Sequence, residues 1–422
     1  PRLGFAYQVL NKTVIRGGWG ISHLPSSGFF VQANRTGFTN VTSMVTSIDG
    51  GFTPYNTLTN PFPDGIQPPQ GHSLGLLTGI GTSVSGNLRS LKRGYSIQWN
   101  LNVQRELPGN WVVELGYLGH RGVSMPANRT YRYLPAENLR LGTALQVQVS
   151  NPFAGAITTG ALSQRMVQRA VLLQTYPQYL GAGGYDSWAD SIYHAFTARV
   201  EKRFSHGLSA LVGFTHSKQI DNNNGSSFTA GGAQSVQYWG NLRAERAVSA
   251  DWQPRRLVVS ATYAIPLGRS GHALYRGLLG GWQISPILAV SSGQILSITA
   301  PAAAFGSSRP DVTGDPTLDD PKPERWFNTA AFVPSQAFGF GNASRNLPRT
   351  RSDYGFNIDT SLAKSFAIRE NLNLQIRLEA FNTLNHVTWD VPGQIVNSAT
   401  YGMVTSQGNS ARNAMIGAKL TF

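Results

Sequence analysis

The chain has 422 residues, 13% of them charged, and a formal net charge of +14. That charged fraction is about half of what soluble globular proteins carry, yet no run of eighteen apolar residues occurs, which excludes a membrane-spanning helix. The absence of cysteine excludes disulfides and thiolate metal sites. The Lys and Arg residues are scattered, so we predict no nucleic-acid partner. Low charge with 46 Gly, 20 Phe, 15 Tyr and 9 Trp is typical of a membrane β-barrel.

Two predicted strands open the chain. Residues 2–9 are apolar at every odd position from 3 to 9, and residues 13–22 return after a tight turn at residues 11–12. A period of two indicates a strand with one apolar side, so we predict a hairpin with a short loop. Residues 24–93 follow without a period and are rich in Gly, Pro, Ser, Thr and Asn. A loop this long argues against a compact soluble domain and is normal on the outer side of a membrane barrel.

The second predicted hairpin has the clearest alternation. In residues 95–107 the odd positions from 95 to 103 are apolar, whereas the even positions from 96 to 104 are polar and uncharged. A polar, uncharged face suits a water-filled lumen. Residues 111–120 return after a turn at residues 108–110, and a second long loop is predicted to extend to about residue 192.

Three further hairpins follow the same plan. Their predicted strands are residues 193–204 and 208–218, 256–266 and 281–294, and 354–366 and 372–384. Long Gly- and Asn-rich segments separate them, and the last hairpin turns at residues 369–371. Because Pro286 has no N–H to donate, we predict a bulge or a local break at that position.

Residues 411–422 form the last predicted strand. Ile416 and Leu420 lie on its apolar side, and the chain stops at the aromatic Phe422. A terminal strand ending on a ring suggests the closing strand of an outer-membrane barrel, with the ring at the lipid–water boundary. An ordinary β-sandwich strand at a chain end has the same local pattern, so this segment alone leaves both interpretations open.

Short turns alternate with long loops along these eleven predicted strands. Their lengths of about ten to thirteen residues match tilted strands that cross a membrane. The predicted fold class is therefore all-β: an antiparallel transmembrane β-barrel with short periplasmic turns and long extracellular loops. Eleven is an odd number, and an open sheet leaves two unpaired edges. We therefore expect residues 1–422 to be the C-terminal portion of an outer-membrane β-barrel, part of a longer protein with a signal peptide.

Seven short stretches, spread over most of the chain, carry a family resemblance. They are PRLGFA at 1–6, VIRGGWG at 14–20, GYSIQWN at 94–100, EKRFSHGL at 201–208, THSK at 215–218, EAFNTLNH at 379–386 and KLTF at 419–422. In this order they resemble the C-terminal barrel of TonB-dependent outer-membrane transporters of the Oar-like kind. One departure is Met415, where that group usually has a polar residue two positions before the glycine of its last strand.

The resemblance implies a barrel of twenty-two strands around an N-terminal plug, with transport powered through TonB. The eleven strands would then be the second half of the barrel, and the plug and signal peptide would be absent from this sequence. The implied partners are outer-membrane lipid and lipopolysaccharide, the TonB complex through the plug, the barrel-assembly machinery through the strand ending at Phe422, and an unidentified ligand.

The polar faces supply candidate lumen-lining residues. They are Gln98, Asn100, Asn102, Gln104, Arg199, Glu201, Arg203, Asn357, Asp359, Gln375, Arg377 and Glu379. Such residues would line a substrate path or contact the plug, although any wet barrel wall has a similar composition. Aromatic residues on the apolar faces are predicted membrane-interface anchors. These are Trp99, Trp111, Tyr117, Trp282 and Phe422.

Catalytic and metal-binding motifs find little support. Ser361 and Lys364 match the Ser-x-x-Lys spacing of acyl-transferring enzymes, but that motif needs a helix, and on a strand the two side chains point to opposite sides. The His residues lack zinc-site spacing. A loop with four acids, Asp311, Asp315, Asp319 and Asp320, offers calcium-type oxygens without the twelve-residue spacing, so solvated turn acids are the preferred interpretation. We predict no enzyme activity, no cofactor and no metal.

The predicted function is TonB-dependent uptake or export, in the bacterial outer membrane, of a ligand captured by long extracellular loops. Two alternatives remain open from the sequence. One is a passive porin or adhesin barrel, and the other is a secreted β-sandwich binding protein.

Overall fold

The computed structural model describes residues 1–24, 36–88, 91–158, 160–223, 236–268, 272–369 and 372–422. The predicted turn residues Glu370 and Asn371 lie outside the described residues. So do parts of the predicted loops between residues 24 and 93 and between residues 220 and 254.

Strands make up most of the regular structure. They are β1 (Arg2–Leu10), β2 (Thr13–His23), β3 (Ser83–Ser85), β4 (Tyr95–Leu107), β5 (Trp111–Thr130), β6 (Gln148–Ser150), β7 (Met166–Gln168), β8 (Gly181–Ser205), β9 (Leu208–Asp221), β10 (Ala247–Val248), β11 (Arg255–Ala264), β12 (Trp282–Ser291), β13 (Asp311–Val312), β14 (Phe332–Val333), β15 (Gly355–Arg369), β16 (Leu372–Phe381) and β17 (Asn413–Thr421).

Helical structure is sparse. The two α-helices are α1 (Arg169–Leu172) and α2 (Ala273–Leu279), and the 3₁₀ segments are Gly75–Leu77, Ala136–Gln146, Ala161–Ser163, Leu242–Glu245 and Thr329–Ala331. In the described part of the chain, no helix has the length and apolar character needed to cross a membrane.

Eleven strands follow one another across the large sheet in the order β1-β2-β4-β5-β8-β9-β11-β12-β15-β16-β17, which we call the main strands. Each pairs with the strand before and after it in this order, so the eleven predicted strands and their sequence are confirmed. The antiparallel up-and-down order places the loops before β11, β15 and β17 at one end of the strands that they connect. β1 and β17 stand at the two ends of the order, and every residue of both strands is exposed.

The short turns have a local cause in backbone conformation. Lys12, Asn110 and His206 adopt positive φ values of 63°, 62° and 52°, next to or within the turns that follow β1, β4 and β8. Gly109 and Gly207 also have positive φ. A left-handed residue lets two antiparallel strands reverse over two or three residues, which explains why these hairpins are tight.

Two main strands are longer than their hydrophobic pattern indicates. β5 continues to Thr130 instead of ending near residue 120, and β8 begins at Gly181 rather than near residue 193. The added segments are rich in Gly and polar residues and have no two-residue period. Their pairing depends on backbone hydrogen bonds, which a side-chain pattern does not report, and Pro126 in the added part of β5 removes only its own donor. The predicted second loop is therefore shorter than expected.

Pro286 causes a smaller disturbance than predicted. β12 stays in continuous register with β15 through the pair Pro286↔Thr360, so the predicted bulge is wrong. Against β11 the register runs from Ser260↔Ile287 to Tyr263↔Ile284 without a shift, but the pairs between them are missing. The predicted local break is therefore confined to one side of the strand, because the proline ring removes one donor without displacing the chain.

The described residues divide into two compact units. One comprises Pro1–Leu24, Arg93–Met125 and Trp188–Phe422, and the other comprises Pro25–Lys92 and Pro126–Ser187. In the second unit β6 pairs with β7, and β3 runs parallel to the start of β8. Its buried Asn151 side chain donates to the carbonyl oxygens of Leu162 and Gln164, both at 2.8 Å. The first two long loops thus contain defined structure.

The first unit contains a buried apolar cluster built from two long loops, which we call the loop core. Its members are Leu296, Ile298, Ala300, Trp326, Phe327, Ala331, Phe332, Leu347, Val396 and Val404. They come from the loop between β12 and β15 and the loop between β16 and β17. Phe327 is fully buried, with ring centroids 6.2 Å from Phe332 and 5.4 Å from Tyr401. These loops fold against each other rather than standing as separate excursions.

Candidate functional site on the polar face of the sheet

The two sides of the main strands differ as the alternation predicts. We call the side that carries Asn100 and Asn102 the polar face and the side that carries Trp99 the apolar face. Large side chains of the apolar face are exposed, from Leu101 and Leu115 to Ile416 at 79%. A second sheet or a helical layer packed on this face would have buried them. The β-sandwich alternative is therefore wrong: one continuous sheet carries the main strands.

A row of amides follows β4 on the polar face. Asn100 and Asn102 pair across the ladder with Gly18 and Arg16 of β2, and the Asn102 amide nitrogen lies 3.5 Å from the Asn100 amide oxygen. A Cβ at Gly18 would come within 3.2 Å of the Asn100 amide nitrogen, so the glycine leaves space for the amide. Gln98 and Gln104 continue the same row. The predicted polar ladder is present, and its lumen-lining role stays a prediction.

A first recess lies on the polar face where β8, β9, β11 and β12 run side by side. Its volume is about 510 Å³, and Arg199, Glu201 and Arg203 are in its lining together with Ser260 and Thr262. Arg199 Nη2 donates to Glu201 Oε2 at 2.9 Å. Three of the predicted residues are thus brought together around charged and hydroxyl groups that can bind a polar ligand.

A second, smaller recess lies between β16 and β17. Its volume is about 200 Å³, and its lining includes Gln375, Arg377, Glu379 and Lys419. Arg377 donates to Glu379 Oε1 at 3.2 Å and to Gln375 Oε1 at 2.9 Å, while Lys419 lies opposite Gln375 in the ladder. Lys419 is a polar-face residue that the sequence interpretation did not select, although it alternates with Ile416 and Leu420.

The remaining two predicted residues are separate from both recesses. Asn357 and Asp359 lie on β15, opposite Ala289 and Ile287 of β12. The Asp359 carboxylate accepts a hydrogen bond from the backbone N–H of Asn382 at 2.9 Å. That contact holds the chain where β16 ends, so Asp359 already has a structural partner.

Three of the predicted anchors contact polar partners on the apolar face. The Tyr117 hydroxyl lies 2.7 Å from His194 Nδ1, and the Trp99 ring meets the same imidazole edge-on at 5.9 Å. The Trp282 indole N–H donates to the carbonyl of Leu278 at 3.0 Å. Rings with one apolar side and one satisfied polar group are suited to a membrane interface, and this role stays a prediction.

The other two anchors lie near the short-turn end. Trp111 is the first residue of β5, and Phe422 follows the last residue of β17 with 94% of its surface exposed. The role of Phe422 as a membrane-interface anchor stays a prediction.

Trp99 depends on a glycine opposite it. A Cβ at Gly119 would lie 2.1 Å from the Trp99 ring. We therefore expect Gly119→Ala to displace the ring and lower the free energy of unfolding in detergent micelles by about 1–3 kcal/mol, with a shift in tryptophan emission. Gly213→Ala on β9 is the matched control, because no atom lies within 4 Å of its Cβ position. Equal effects of the two substitutions would contradict the close packing of Trp99.

A family model for the outer membrane beta barrel domain matches residues 1–414. The chain belongs to the outer membrane beta barrel domain family. The predicted β-barrel fold and the predicted location in the bacterial outer membrane are thereby confirmed. No curated protein matches the chain.

Three solved structures are similar to this outer membrane barrel domain at low identity. The outer membrane transporter YddB from Escherichia coli is 11% identical, with 97% of this chain and 38% of that chain covered and a TM-score of 0.46. The ferripyoverdine receptor of Pseudomonas aeruginosa is 10% identical over 99% and 32%, with a TM-score of 0.41. The siderophore receptor PirA from Acinetobacter baumannii is 9% identical over 100% and 40%, with a TM-score of 0.43. The chain spans about two fifths or less of these proteins.

Two buried ion pairs hold the loop before β15, one to the loop before β11 and one to the last residue of β9, and we call their four residues the loop lock. Arg309 pairs with Glu245, and Arg345 pairs with Asp221. Glu245 is fully buried and also accepts a hydrogen bond from the backbone of Gln237 at 3.0 Å. Arg345 Nε donates to the Glu245 carbonyl at 2.9 Å, which joins the two pairs into one network. The loop before β11 is thus fixed to the loop before β15.

The sequence interpretation missed the loop lock. Its four residues stand far apart in segments without periodicity, and no spacing connects them. The available signal was weak: single Arg, Asp and Glu residues in a chain with only 13% charge. Buried charges need partners, so such residues in long loops are candidates for pairs, but the partner becomes visible only after folding.

The acid-rich loop and the Ser-x-x-Lys motif have structural explanations. Asp311 accepts a hydrogen bond from the backbone of Asn342 at 3.0 Å, and Asp320 pairs with Lys322 at 3.3 Å. Hydrogen bonds from the Thr317 backbone and hydroxyl lower the pKa of Asp315. Within the described ranges, no three His, Asp or Glu side chains are grouped so as to hold a metal ion.

Ser361 and Lys364 occupy opposite parities of β15. In the ladder with β12 they lie across from Ser285 and Trp282, respectively. The Lys364 ammonium donates to backbone carbonyls rather than to a serine hydroxyl. The arrangement provides no activated nucleophile, in keeping with the family of outer-membrane barrels.

Proposed function

We propose that this barrel domain forms part of the wall and the ligand-capturing loops of a TonB-dependent outer-membrane transporter. The observation that carries the proposal is the folded state of the long loops: the loop core is buried, and the loop lock joins further loop segments through paired charges. Loops that only connected strands would need neither a buried apolar core nor buried ion pairs. A rigid loop assembly at one end of the strands can present a fixed surface to a ligand, because binding then costs little ordering entropy.

The polar face supplies the next step of the proposed path. The amide row on β4 and the charged groups of the first recess offer donors and acceptors along this face. A polar solute released by the loops would exchange hydrogen bonds with this wall as it moves. Arg199 and Arg203 favour a ligand that carries anionic or carbonyl oxygen atoms, because guanidinium groups bind them with paired hydrogen bonds.

The exposed edges support a larger wall. β1 and β17 each have a neighbour on one side only, and unpaired backbone groups cannot be left in lipid. We propose that further strands of the whole protein pair with these edges, and that a plug domain of the same protein fills the lumen and contacts TonB. Movement of that plug would open the path for uptake or export.

Energy dependence separates this function from a passive porin. Cells carrying the full-length gene, and cells with the gene deleted, would be incubated in complex medium, and the accumulation of solutes would be compared by mass spectrometry. We expect at least one solute to depend on the gene and to lose that dependence when a protonophore collapses the proton gradient. Uptake that continues without the gradient would favour the porin, and the absence of any gene-dependent solute would favour the adhesin.

Substitution of the first recess tests the path itself. Arg199→Ser with Arg203→Ser is expected to lower gene-dependent accumulation about a hundredfold, since each charge-assisted hydrogen bond contributes about 1.5–3 kcal/mol and two are lost. Lys12→Ser is the control, because Lys12 lies in an exposed short turn with an exposed ion pair to Glu106. Unchanged accumulation in the recess variant, at equal protein level in the outer membrane, would argue against a path along this face.

A further inference from the structure

Two lysines on the apolar face have an unexpected environment. Lys202 on β8 is 7% exposed and Lys364 on β15 is 8% exposed, although both lie among apolar neighbours near the short-turn end of their strands. Lys202 lies on the same face of β8 as Val200 and Phe204. Lys364 lies opposite Trp282 in the pairing with β12 and opposite Ile376 in the pairing with β16. A charged residue on this face of a membrane barrel is costly unless it has a partner.

The two lysines share one arrangement. Lys202 Nζ donates to the Gly109 carbonyl in the turn after β4 and to the Ser205 hydroxyl, and it lies 5.7 Å from the centre of the Trp111 ring. Trp111 is the first residue of β5, which pairs with β8.

Lys364 repeats that arrangement on the same face, several strands further along the sheet. Its Nζ donates to the carbonyls of Leu278 and Gly280 at 2.9 and 2.8 Å. It lies 4.9 Å from the ring centres of both Trp282 and Phe366. Carbonyl oxygens and ring faces stabilise an ammonium group without neutralising its charge.

The charge balance at both sites is incomplete. Among the described residues, no carboxylate lies within the 4.0 Å of an ion pair from either ammonium group. An ammonium group has three N–H donors, and each lysine uses two of them on protein oxygens. One donor and one positive charge at each site therefore have no partner among these protein oxygens. Lys202 lies beside the short turn after β8, and Lys364 lies beside the segment between β11 and β12 that contains α2.

We propose that Lys202 with Trp111, and Lys364 with Trp282, bind the phosphate of a phospholipid headgroup in the leaflet at the short-turn end. The phosphate supplies the missing negative charge and accepts the third N–H. The indole rings lie at the depth of the headgroups, and the acyl chains lie along the neighbouring apolar side chains. The proposal depends on membership of the outer membrane barrel family and on the apolar face meeting lipid, but not on ligand transport.

The sites predict a dependence of stability on lipid phosphate. The protein in dodecyl maltoside would be titrated with dioleoyl phosphatidylglycerol, and the temperature at which its heat-modifiable gel mobility is lost would be measured. We expect this temperature to rise with the lipid, because a ligand that binds the folded state stabilises it. Dioleoylglycerol, which lacks phosphate, and inorganic phosphate, which lacks acyl chains, should each leave the temperature unchanged.

Variants identify the residues responsible. Lys202→Met with Lys364→Met should abolish the phosphatidylglycerol response, whereas Lys202→Arg with Lys364→Arg should retain it. Lys12→Met with Lys322→Met removes the same number of charges from a short turn and from a long loop, where both lysines form exposed ion pairs, and it should respond as the unaltered protein does. The quantity compared is the rise in this temperature on adding phosphatidylglycerol to the detergent solution. A variant that is less stable in general can still show the same rise, so a loss of stability alone does not produce the expected result.

Three outcomes would overturn the proposal. The first is no response of the unaltered protein to phosphatidylglycerol, the second is a full response of the methionine variant, and the third is the same response to inorganic phosphate alone. The second outcome would mean that the lysines only fix the turns, and the third would mean a site for a free anion. None of these results depends on solute accumulation, so failure of the transport proposal remains distinguishable from failure of this one.

Discussion

Arg345→Met is expected to release the loop before β11 from the loop before β15. Arg345 and Asp221 are both buried, and removing one partner leaves the other charge buried without compensation. Breaking such a pair costs about 3–5 kcal/mol. Hydrogen exchange on the folded protein should therefore show faster exchange in residues 236–250 and 340–350, and proteolytic cleavage should begin in the same segments.

A matched pair on the polar face is the control for this prediction. Arg377 pairs with Glu379 at 3.2 Å, but both side chains are about a third exposed or more. Exposed pairs contribute about 0–1 kcal/mol, so Arg377→Met should leave loop exchange unchanged. Asp221→Asn should behave as Arg345→Met does. If Arg345→Met and Arg377→Met had equal effects, the loop lock would have no special role in ordering the loops.

Phe327→Ala is expected to unfold the loop core while the main strands stay paired. Phe327 is fully buried, and its ring meets Phe332 and Tyr401 edge-on. Replacing a buried phenylalanine by alanine costs about 3–5 kcal/mol, because the lost transfer free energy adds to the cost of a cavity. Burial also raises the pKa of the neighbouring Tyr401 to about 12, so the cluster excludes water around that hydroxyl as well.

The measurement for Phe327→Ala is local. Exchange protection should fall across residues 292–354 and 382–412, while heat-modifiable gel mobility of the strands persists. Phe327→Leu keeps most of the volume and should cost less than about 1.5 kcal/mol. Phe52→Ala, at a side chain that is 90% exposed, should have no effect. Loss of strand protection together with the loops would show that the two parts fold as one cooperative unit.

The strand with the clearest two-residue period, β4, was predictable to the residue, and other periodic strands, such as β1 and β16, differ from their predicted ends by one to three residues. β4 spans Tyr95–Leu107 as expected, because every apolar side chain of this segment lies on one face. The turn that contains Gly109 then ends the strand. The start of β8 at Gly181 was not predictable, since residues 181–192 carry no such period. There the neighbouring strand supplies the hydrogen bonds, and the sequence of the segment alone does not show that neighbour.

The residues of the candidate site also fall into two groups, those that the sequence pattern predicts and those that it does not. The alternation of β8 and β16 placed Arg199, Glu201, Arg203, Arg377 and Glu379 on the polar face, and two recesses of the structure contain them. Nothing in the spacing of Glu245 and Arg309 indicated a contact, because residues in aperiodic loops meet only after the loops have folded. Lys364 was considered only as part of a catalytic motif, and its carbonyl contacts were not foreseen.

By itself, the amino-acid sequence determined the fold class, the order of the eleven main strands and the side of each strand that is apolar. These follow from a period of two and from turn residues, which act over a few neighbouring positions. Only the tertiary structure decided which loops share a core, which buried charges pair, and where two lysines find carbonyl partners. Those contacts join residues that are distant in the chain, and their energies depend on burial that no local pattern contains.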